Sequence, residues 1–282
     1  IGAFIALTGD AIVDMGADAL LVDVAPPDWH GMGLGAGWAS RAIGYSISAI
    51  FTVHIIITYG WTLGWLIFIL YSLPVLMILF VGETKQTAER KVSKKGIAMT
   101  FSDTKMATSF FFLAFFSGAC YALDPNRGLL SVISGEKLGL VKATTLGEYL
   151  RQLPIMGLMM ASFGFAAAVG ALIMGRYTDK IGHRKSYFVS LTGFLVVLAL
   201  WLIEPSVIGR TVYPQSPELG GVMVLSVLLG FFEGWNFVAW ETLIADACPP
   251  QLTSFVFQYG MTGTHFSAFL VAAIAGYMLD IY

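Results

Sequence analysis

"LLVDVAPP" at residues 20–27 and "LIADACPP" at residues 243–250 align without a gap, Leu20 onto Leu243, at an offset of 223 residues. The same offset brings Asp10 onto Glu233, Asp18 onto Glu241 and Asp23 onto Asp246, and it brings Pro26, Pro27 and Gly37 onto Pro249, Pro250 and Gly260. Apolar composition alone does not put three acids and a proline pair into register, so the chain reads as two related halves. Where those halves reside follows from composition. Of the 282 residues 57% are hydrophobic and 12% charged, with a mean hydropathy of +0.76, far from a soluble globular average.

Apolar runs of about the 20 residues that cross a bilayer core recur at roughly 1–24, 33–58, 61–82, 106–123, 153–175, 185–204, 220–246 and 254–280. They are continuous rather than alternating, which predicts helices and not barrel strands. The predicted fold class is an all-α, multi-pass integral membrane protein, a helical bundle of two pseudo-symmetric halves. Two such halves, parallel and related by an axis along the membrane normal, place a solute site at the midplane between them. The offset also predicts extent. The span at 61–82 would recur near 284–305, and the loop at 175–185 would have its counterpart before residue 1. Residue 1 lies inside an apolar run, with neither an initiator Met nor a basic signal-peptide segment. Three helices are therefore expected before the chain and one after it. Residues 1–82 would be the remainder of the first half, 83–105 a basic linker, and 106–282 the second half without its last helix.

A net charge of −2 and a pI near 6.1 leave no polybasic stripe, so nucleic acid is not an expected partner. The cations mark topology instead. Lys85, Arg90, Lys91, Lys94, Lys95 and Lys105 follow the third run, and Arg176, Lys180, Arg184 and Lys185 follow the fifth, on the same side. The other side carries Arg127, Lys137, Lys142, Arg151 and Arg210, so the first group is predicted to be cytoplasmic and the membrane an inner or plasma membrane. Cys120 and Cys248 then fall near opposite ends of the spans and imply no disulfide.

"GRYTDKIGHRK" at 175–185 carries a family resemblance. Gly175, Asp179, Gly182, Arg184 and Lys185, with Lys180 in a basic position, resemble the major facilitator superfamily signature G-x-L-x-D-R-x-G-R-R, with Tyr177 in place of the Leu and His183 in place of the first closing cation. In that family the signature joins the second and third helices of a half. The resemblance covers the chain as helices four to eleven of twelve and implies secondary transport by alternating access. It also implies a cytoplasmic latch made of those six residues, in which Asp179 accepts from basic groups or a helix N-terminus and the glycines permit a tight turn and close helix approach. Residues 14–48, "DMGADALLVDVAPPDWHGMGLGAGWASRAIGYSIS", are similar to the fourth and fifth helices of the muropeptide and acetyl-coenzyme A permease branch, with His30 at the turn Arg and Arg41 displaced by about one position. "GLVKATTL" at 139–146 shares parts of the pattern of a pigment-assembly branch. Neither selects a solute.

Asp10, Asp14 and Asp18 recur every four residues and so line one helix face. A charged side chain at the bilayer centre costs at least ~2.5–3.5 kcal/mol, so this stripe is expected to face the bundle interior or a watered cavity. With the cytoplasmic turn centred near Asp28, Asp14 and Arg41 have similar depth on antiparallel helices, which predicts an Asp14–Arg41 ion pair. Asp10 and Asp18 then remain to bind and release protons, and the whole stripe is assigned to proton coupling. Asp23, beside the proline pair, is expected to cap or latch a helix end, as Asp246 would in the second half.

The matching run "FFEGWNFVAWETLIAD" at 231–246 presents Glu233, Asn236, Phe237, Trp240 and Glu241 on one broad face. The two Glu suit proton coupling or a cationic solute, Trp240 suits stacking on a ring or cation, and Asn236 can both donate and accept. Asn236, Phe237 and Trp240, with His265 from the following span, are the predicted solute-binding residues. His54 and His265 lie within spans, where a histidine can relay protons, but both read more readily as hydrogen-bonded core histidines. Gly31, Gly33, Gly35 and Gly37 follow no strand and are read as a helix-packing face rather than a nucleotide loop. "TLGEYLRQLP" at 145–154 begins with a capping box, Thr145 with Glu148, and predicts a short interfacial helix. No nucleophile elbow, P-loop or metal-ligand spacing occurs, so neither catalysis nor a metal nor a cofactor is implied. The expected protein is a monomeric secondary transporter in the lipid bilayer that couples a small polar or amphiphilic solute to H⁺. The alternative is a transporter-like membrane sensor or assembly factor that moves no solute.

Overall fold

Backbone N–H and C=O groups cannot stay open in hydrocarbon, so a spanning segment satisfies them within itself as helix. The computed structural model describes residues 17, 18, 20–22, 25–73, 112, 115, 138, 146–201, 203, 205–247, 259, 260, 262–264, 266, 267, 270, 271, 273, 274 and 277. Asp10, Asp14, Asp23, Cys120, Cys248, His265 and the linker 83–105 lie outside the described residues. Among the described residues the elements are helices and turns, with no strand. They are α1 (His30–Tyr59), α2 (Trp61–Ser72), α3 (Leu146–Ile181), α4 (His183–Leu200), α5 (Pro205–Val212) and α6 (Pro217–Ala247). Of these, His30–Tyr59, Ile155–Ile181 and Pro217–Asp246 are each long and apolar enough to cross a membrane, and α4 with α5 makes a fourth candidate bent by 97°.

Local sequence accounts for the breaks. Pro26 and Pro27 cannot continue the helix before them, and a short 3-10 turn, Pro27–Trp29, redirects the chain into α1. Gly60 ends α1 at φ 86° and donates its N–H to the Ile56 carbonyl at 3.0 Å. Gly182, at φ 89°, separates α3 from α4, a backbone state that any Cβ would strain.

Two elements differ from the sequence reading. The predicted interfacial helix at 145–154 is not separate: α3 starts at Leu146 and continues through Pro154 for 36 residues. One proline removes a single N–H donor, and a membrane helix tolerates that loss where neighbours and local adjustment satisfy the backbone. The predicted loop between the runs ending at 204 and beginning at 220 holds α5. Pro205 occupies the first position of α5, where its missing N–H costs nothing. At Gly209 and Gly221 a Cβ would strike the carbonyl oxygens of Pro217 and Pro205, so α5 lies directly on the start of α6.

α6 is the central helix. Val222, Leu225, Leu229, Val238, Ala239, Trp240 and Ile244 along it are fully buried. Its first half joins Phe163 of α3 and Phe194 and Val197 of α4 in one apolar core. Helices in lipid gain little from hydrophobic burial and depend on close contact between small residues. The α3–α6 contact has that form: a Cβ on Gly230 would collide with the Phe163 carbonyl, one on Gly234 with that of Ala167, and one on Gly170 with that of Phe231. A second core joins α1 to this unit through Leu34, Ala39, Ala168, Ala171 and Val238, with Val22, Trp38 and Ala42 packed around it.

Candidate functional site at the seam between α1 and α3–α6

The start of α1 lies across the end of α3. Gly31 and Gly35 share one helix face by their spacing of four. A Cβ on Gly35 would lie 2.5 Å from the Ala171 carbonyl oxygen, and one on Gly175 would lie 2.5 Å from that of Gly31. This approach places the carboxylate of Asp179, one turn beyond Gly175, under the open end of α1. Asp179 accepts from the backbone N–H of Gly31 at 2.8 Å and of Met32 at 3.0 Å. Those donors have no carbonyl within their own helix, and the helix dipole favours a negative charge there. Lys180, Arg184 and Lys185 are exposed around the same turn.

His183, which the sequence reading noted only as a substitution in the signature, sits inside this arrangement. Its Nδ1 contacts Asp246 Oδ2 on α6, and its Nε2 lies 3.5 Å from Asp179 Oδ1. Below it, Trp235 donates its indole N–H to Ser186 Oγ at 2.7 Å, Ser186 shares a 2.5 Å hydrogen bond with Thr178, and Thr178 donates to the Met174 carbonyl at 2.6 Å. With Thr178 donating to that carbonyl, Ser186 donates to Thr178, and this chain of hydrogen bonds ties α3, α4 and α6 into one unit at that end.

Arg41 lies deeper on α1, and its described partner is Asp18. The guanidinium engages Asp18 through both nitrogens, at 2.6 Å and 3.2 Å, while the predicted partner Asp14 lies outside the described residues. Side-chain direction accounts for the Asp18 contact. Every helical Cβ tilts toward its own N-terminus, so Arg41 leans toward the turn while Asp18 leans away from it. An acid one turn nearer the turn than equal depth suggests therefore meets the guanidinium. Asp18 is 1% exposed and Arg41 27%. Asp18 thus belongs to the ion pair, and the assignment that left it unpaired does not hold.

Trp38, three residues before Arg41, extends the pair into an aromatic ladder. The guanidinium carbon lies 5.1 Å from the Trp38 ring centre, and Trp38 stacks on Phe237 of α6 at 4.3 Å and 20°. Phe237 in turn meets Trp240 at 6.4 Å. The indole N–H groups of Trp38 and Trp240 are buried and have no hydrogen-bond partner among the described residues. Trp38 was missed in the sequence, although its spacing of three from a membrane-buried arginine was a usable signal.

The broad face predicted on α6 divides. Phe237 turns to the α1 seam, Trp240 lies beside Phe237 and against Gly260, and Asn236 donates to Ser190 of α4 at 3.2 Å, inside the other contact. Glu233 and Glu241 are both buried. Glu241 is 0% exposed and is the repeat counterpart of Asp18 at 1%, so the offset aligns two buried acids.

A sequence model of the Major Facilitator Superfamily matches residues 128–282. The citrate-proton symporter of Klebsiella pneumoniae is 24% identical over 178 residues, covering 54% of this chain and 39% of that protein. The chain thus aligns with about two fifths of the length of this curated relative. No solved structure matches it.

Proposed function

Because the chain belongs to the Major Facilitator Superfamily, we propose that it works as a proton-coupled secondary transporter, carrying a small polar or amphiphilic solute between two halves by alternating access. On this reading residues 1–82 belong to the first half, 83–105 link the halves, 106–282 belong to the second, and the end bearing Lys180, Arg184 and Lys185 is cytoplasmic. The observation that carries it is the line of contacts from Asp18 through Arg41 and Trp38 to Phe237. An ion pair inside an apolar bundle is costly and so points to a solute or ion path, and on this reading the pair stands where the two halves meet. Asp18, with Asp10, Asp14, Glu233 and Glu241, supplies groups for the proton. Phe237 and Trp240, with Asn236 and His265, supply contacts for the solute.

The donors at the seam favour an anionic head on that solute. A guanidinium and two indole N–H groups offer hydrogen bonds, and a carboxylate is the complementary acceptor. The likeness to a citrate-proton symporter supports the same class. Protonation of Asp18 would release the guanidinium to an incoming carboxylate, so one proton and one anion would enter together. In proteoliposomes containing the intact protein, an imposed pH gradient is expected to drive accumulation of citrate or a related small carboxylate, and a protonophore is expected to abolish it. If no carboxylate or other polar solute accumulates in response to the gradient, the transport reading fails and the sensor or assembly role replaces it.

Asp179 is proposed as the latch that holds the cytoplasmic end closed, together with Gly175, Lys180, Gly182, Arg184 and Lys185. Asp179→Asn keeps the shape but gives up the charge-assisted bonds to the start of α1. It is expected to raise the fraction open to the cytoplasm several-fold, as a loss of about 1 kcal/mol would, while solute affinity within one state stays unchanged. Accessibility labelling from each side of the membrane checks this, and an unchanged distribution would remove the latch role.

A further inference from the structure

His183 is the one imidazole of the Asp179 arrangement, and an imidazole is the side chain whose charge ordinarily changes near neutral pH. Its ring lies between two carboxylates on different helices, Nδ1 at Asp246 of α6 and Nε2 at Asp179 of α3. A neutral imidazole has one N–H and one lone pair, whereas an imidazolium has two N–H groups. Only the charged ring can therefore donate to both acids. The neutral ring that donates to Asp246 turns a lone pair toward Asp179 Oδ1, the same oxygen that accepts from Gly31.

We propose that His183 is a positioning residue that makes the Asp179–α1 contact depend on pH, with the charged ring favouring the closed arrangement and the neutral ring releasing it. While α1 is docked, Gly31 and Met32 fix the Asp179 carboxylate in place, and Oδ1 cannot turn away from a lone pair. Once α1 has moved off, the carboxylate is free to rotate and the neutral ring meets no penalty. Protonation therefore stabilises the docked state relative to the undocked one, and by linkage the effect is present at low pH and lost as pH rises. The imidazole is the side chain whose ordinary titration spans about pH 5 to 8. Other charged and titratable groups at this end of the described bundle are Asp28 and His30 beside the start of α1, Arg176 and Lys180 on α3, and Arg184 and Lys185 on α4. Arginine, lysine and aspartate side chains ordinarily keep their charge across that interval. His30 is the other imidazole, and it is buried at the first residue of α1.

The inference rests on the alternating-access reading, and its test measures conformation without transport. Spin labels at Trp29→Cys and Phe188→Cys, both on exposed residues, would report the distance between the α1 start and α4, with Cys120 and Cys248 replaced by Ser. In the intact protein in nanodiscs, the ratio of short to long distances is expected to fall ~5-fold or more between about pH 5.5 and about pH 8. His183→Gln is expected to flatten that dependence. His183→Arg, which keeps a permanent charge at the position, is expected to hold the short distance at both pH values, and His30→Gln is expected to keep the wild-type response. A response that survives His183→Gln, disappears in His30→Gln, or runs in the opposite direction would overturn the proposal. Two distances with no pH response in the wild type would overturn it while leaving alternating access intact, whereas a single fixed distance under all conditions, with solute present or absent, would remove alternating access itself and the proposal with it.

Discussion

Arg41→Gln is expected to reduce the yield of folded protein far more than the double change Asp18→Asn with Arg41→Gln. Asp18 is 1% exposed and holds the guanidinium through both nitrogens. Removing one member of a buried pair leaves the other charge desolvated without its counter-charge, which costs about 3–5 kcal/mol, whereas removing both members is often close to neutral. Arg41 also covers one face of Trp38, so the single change loosens the stack on Phe237 as well. Asp18→Asn alone is expected to be milder than Arg41→Gln, because the guanidinium is 27% exposed and its end can turn toward water. Size-exclusion profiles and thermal unfolding of the four proteins complete the cycle. The double variant is expected to fold and to have lost accumulation driven by a pH gradient. If the double variant is no more stable than Arg41→Gln, the two residues do not act as a pair. If it folds and still accumulates solute against the gradient, the pair has no part in coupling.

Gly234→Ala and Gly35→Ala add the same methyl group to two helix crossings, and opposite kinds of damage are expected. At Gly234 the new Cβ would collide with the Ala167 carbonyl between α6 and α3, a contact repeated at Gly170 and Gly230 and internal to one unit. No alternative arrangement relieves that collision, so a loss of about 1–3 kcal/mol in stability is expected, as for an overpacked core. At Gly35 the Cβ would lie 2.5 Å from the Ala171 carbonyl, between α1 and α3. If this crossing opens and closes in the transport cycle, the strain falls on the closed state alone. Gly35→Ala is then expected to shift the population toward the state open at the Asp179 end, with a smaller loss in unfolding temperature than Gly234→Ala. Equal destabilisation by both, with no population shift at Gly35, would mean that the α1–α3 crossing is as rigid as the α3–α6 one.

The helices α1, α3 and α6 fall on runs already apparent at 33–58, 153–175 and 220–246, because the length of an apolar segment is dictated by the bilayer and can be read from one dimension. The turn at Gly182 was legible for a similarly local reason: the glycine and the cations around it are adjacent in the chain. Asp179 was legible as an acceptor awaiting a helix end, but no local pattern names which helix supplies it, since Gly31 lies 148 residues away. The division of the α6 face was out of reach for the same reason. Asn236 and Phe237 are neighbours in sequence and part company only because α4 and α1 pack on different sides of α6.

By itself the sequence determined the membrane environment, the helical spans, the repeat that aligns Asp18 with Glu241, and the signature at 175–185, all of which depend on composition, period and spacing. Only the tertiary structure decided partners. It brought Arg41 onto Asp18, which the tilt of side chains along two antiparallel helices allows to meet. It seated Trp38 on Phe237, and it put His183 between Asp179 and Asp246. Each of these contacts joins residues on different helices, and the register and rotation of packed helices arise from the small-residue crossings between them, which a single helix period does not encode.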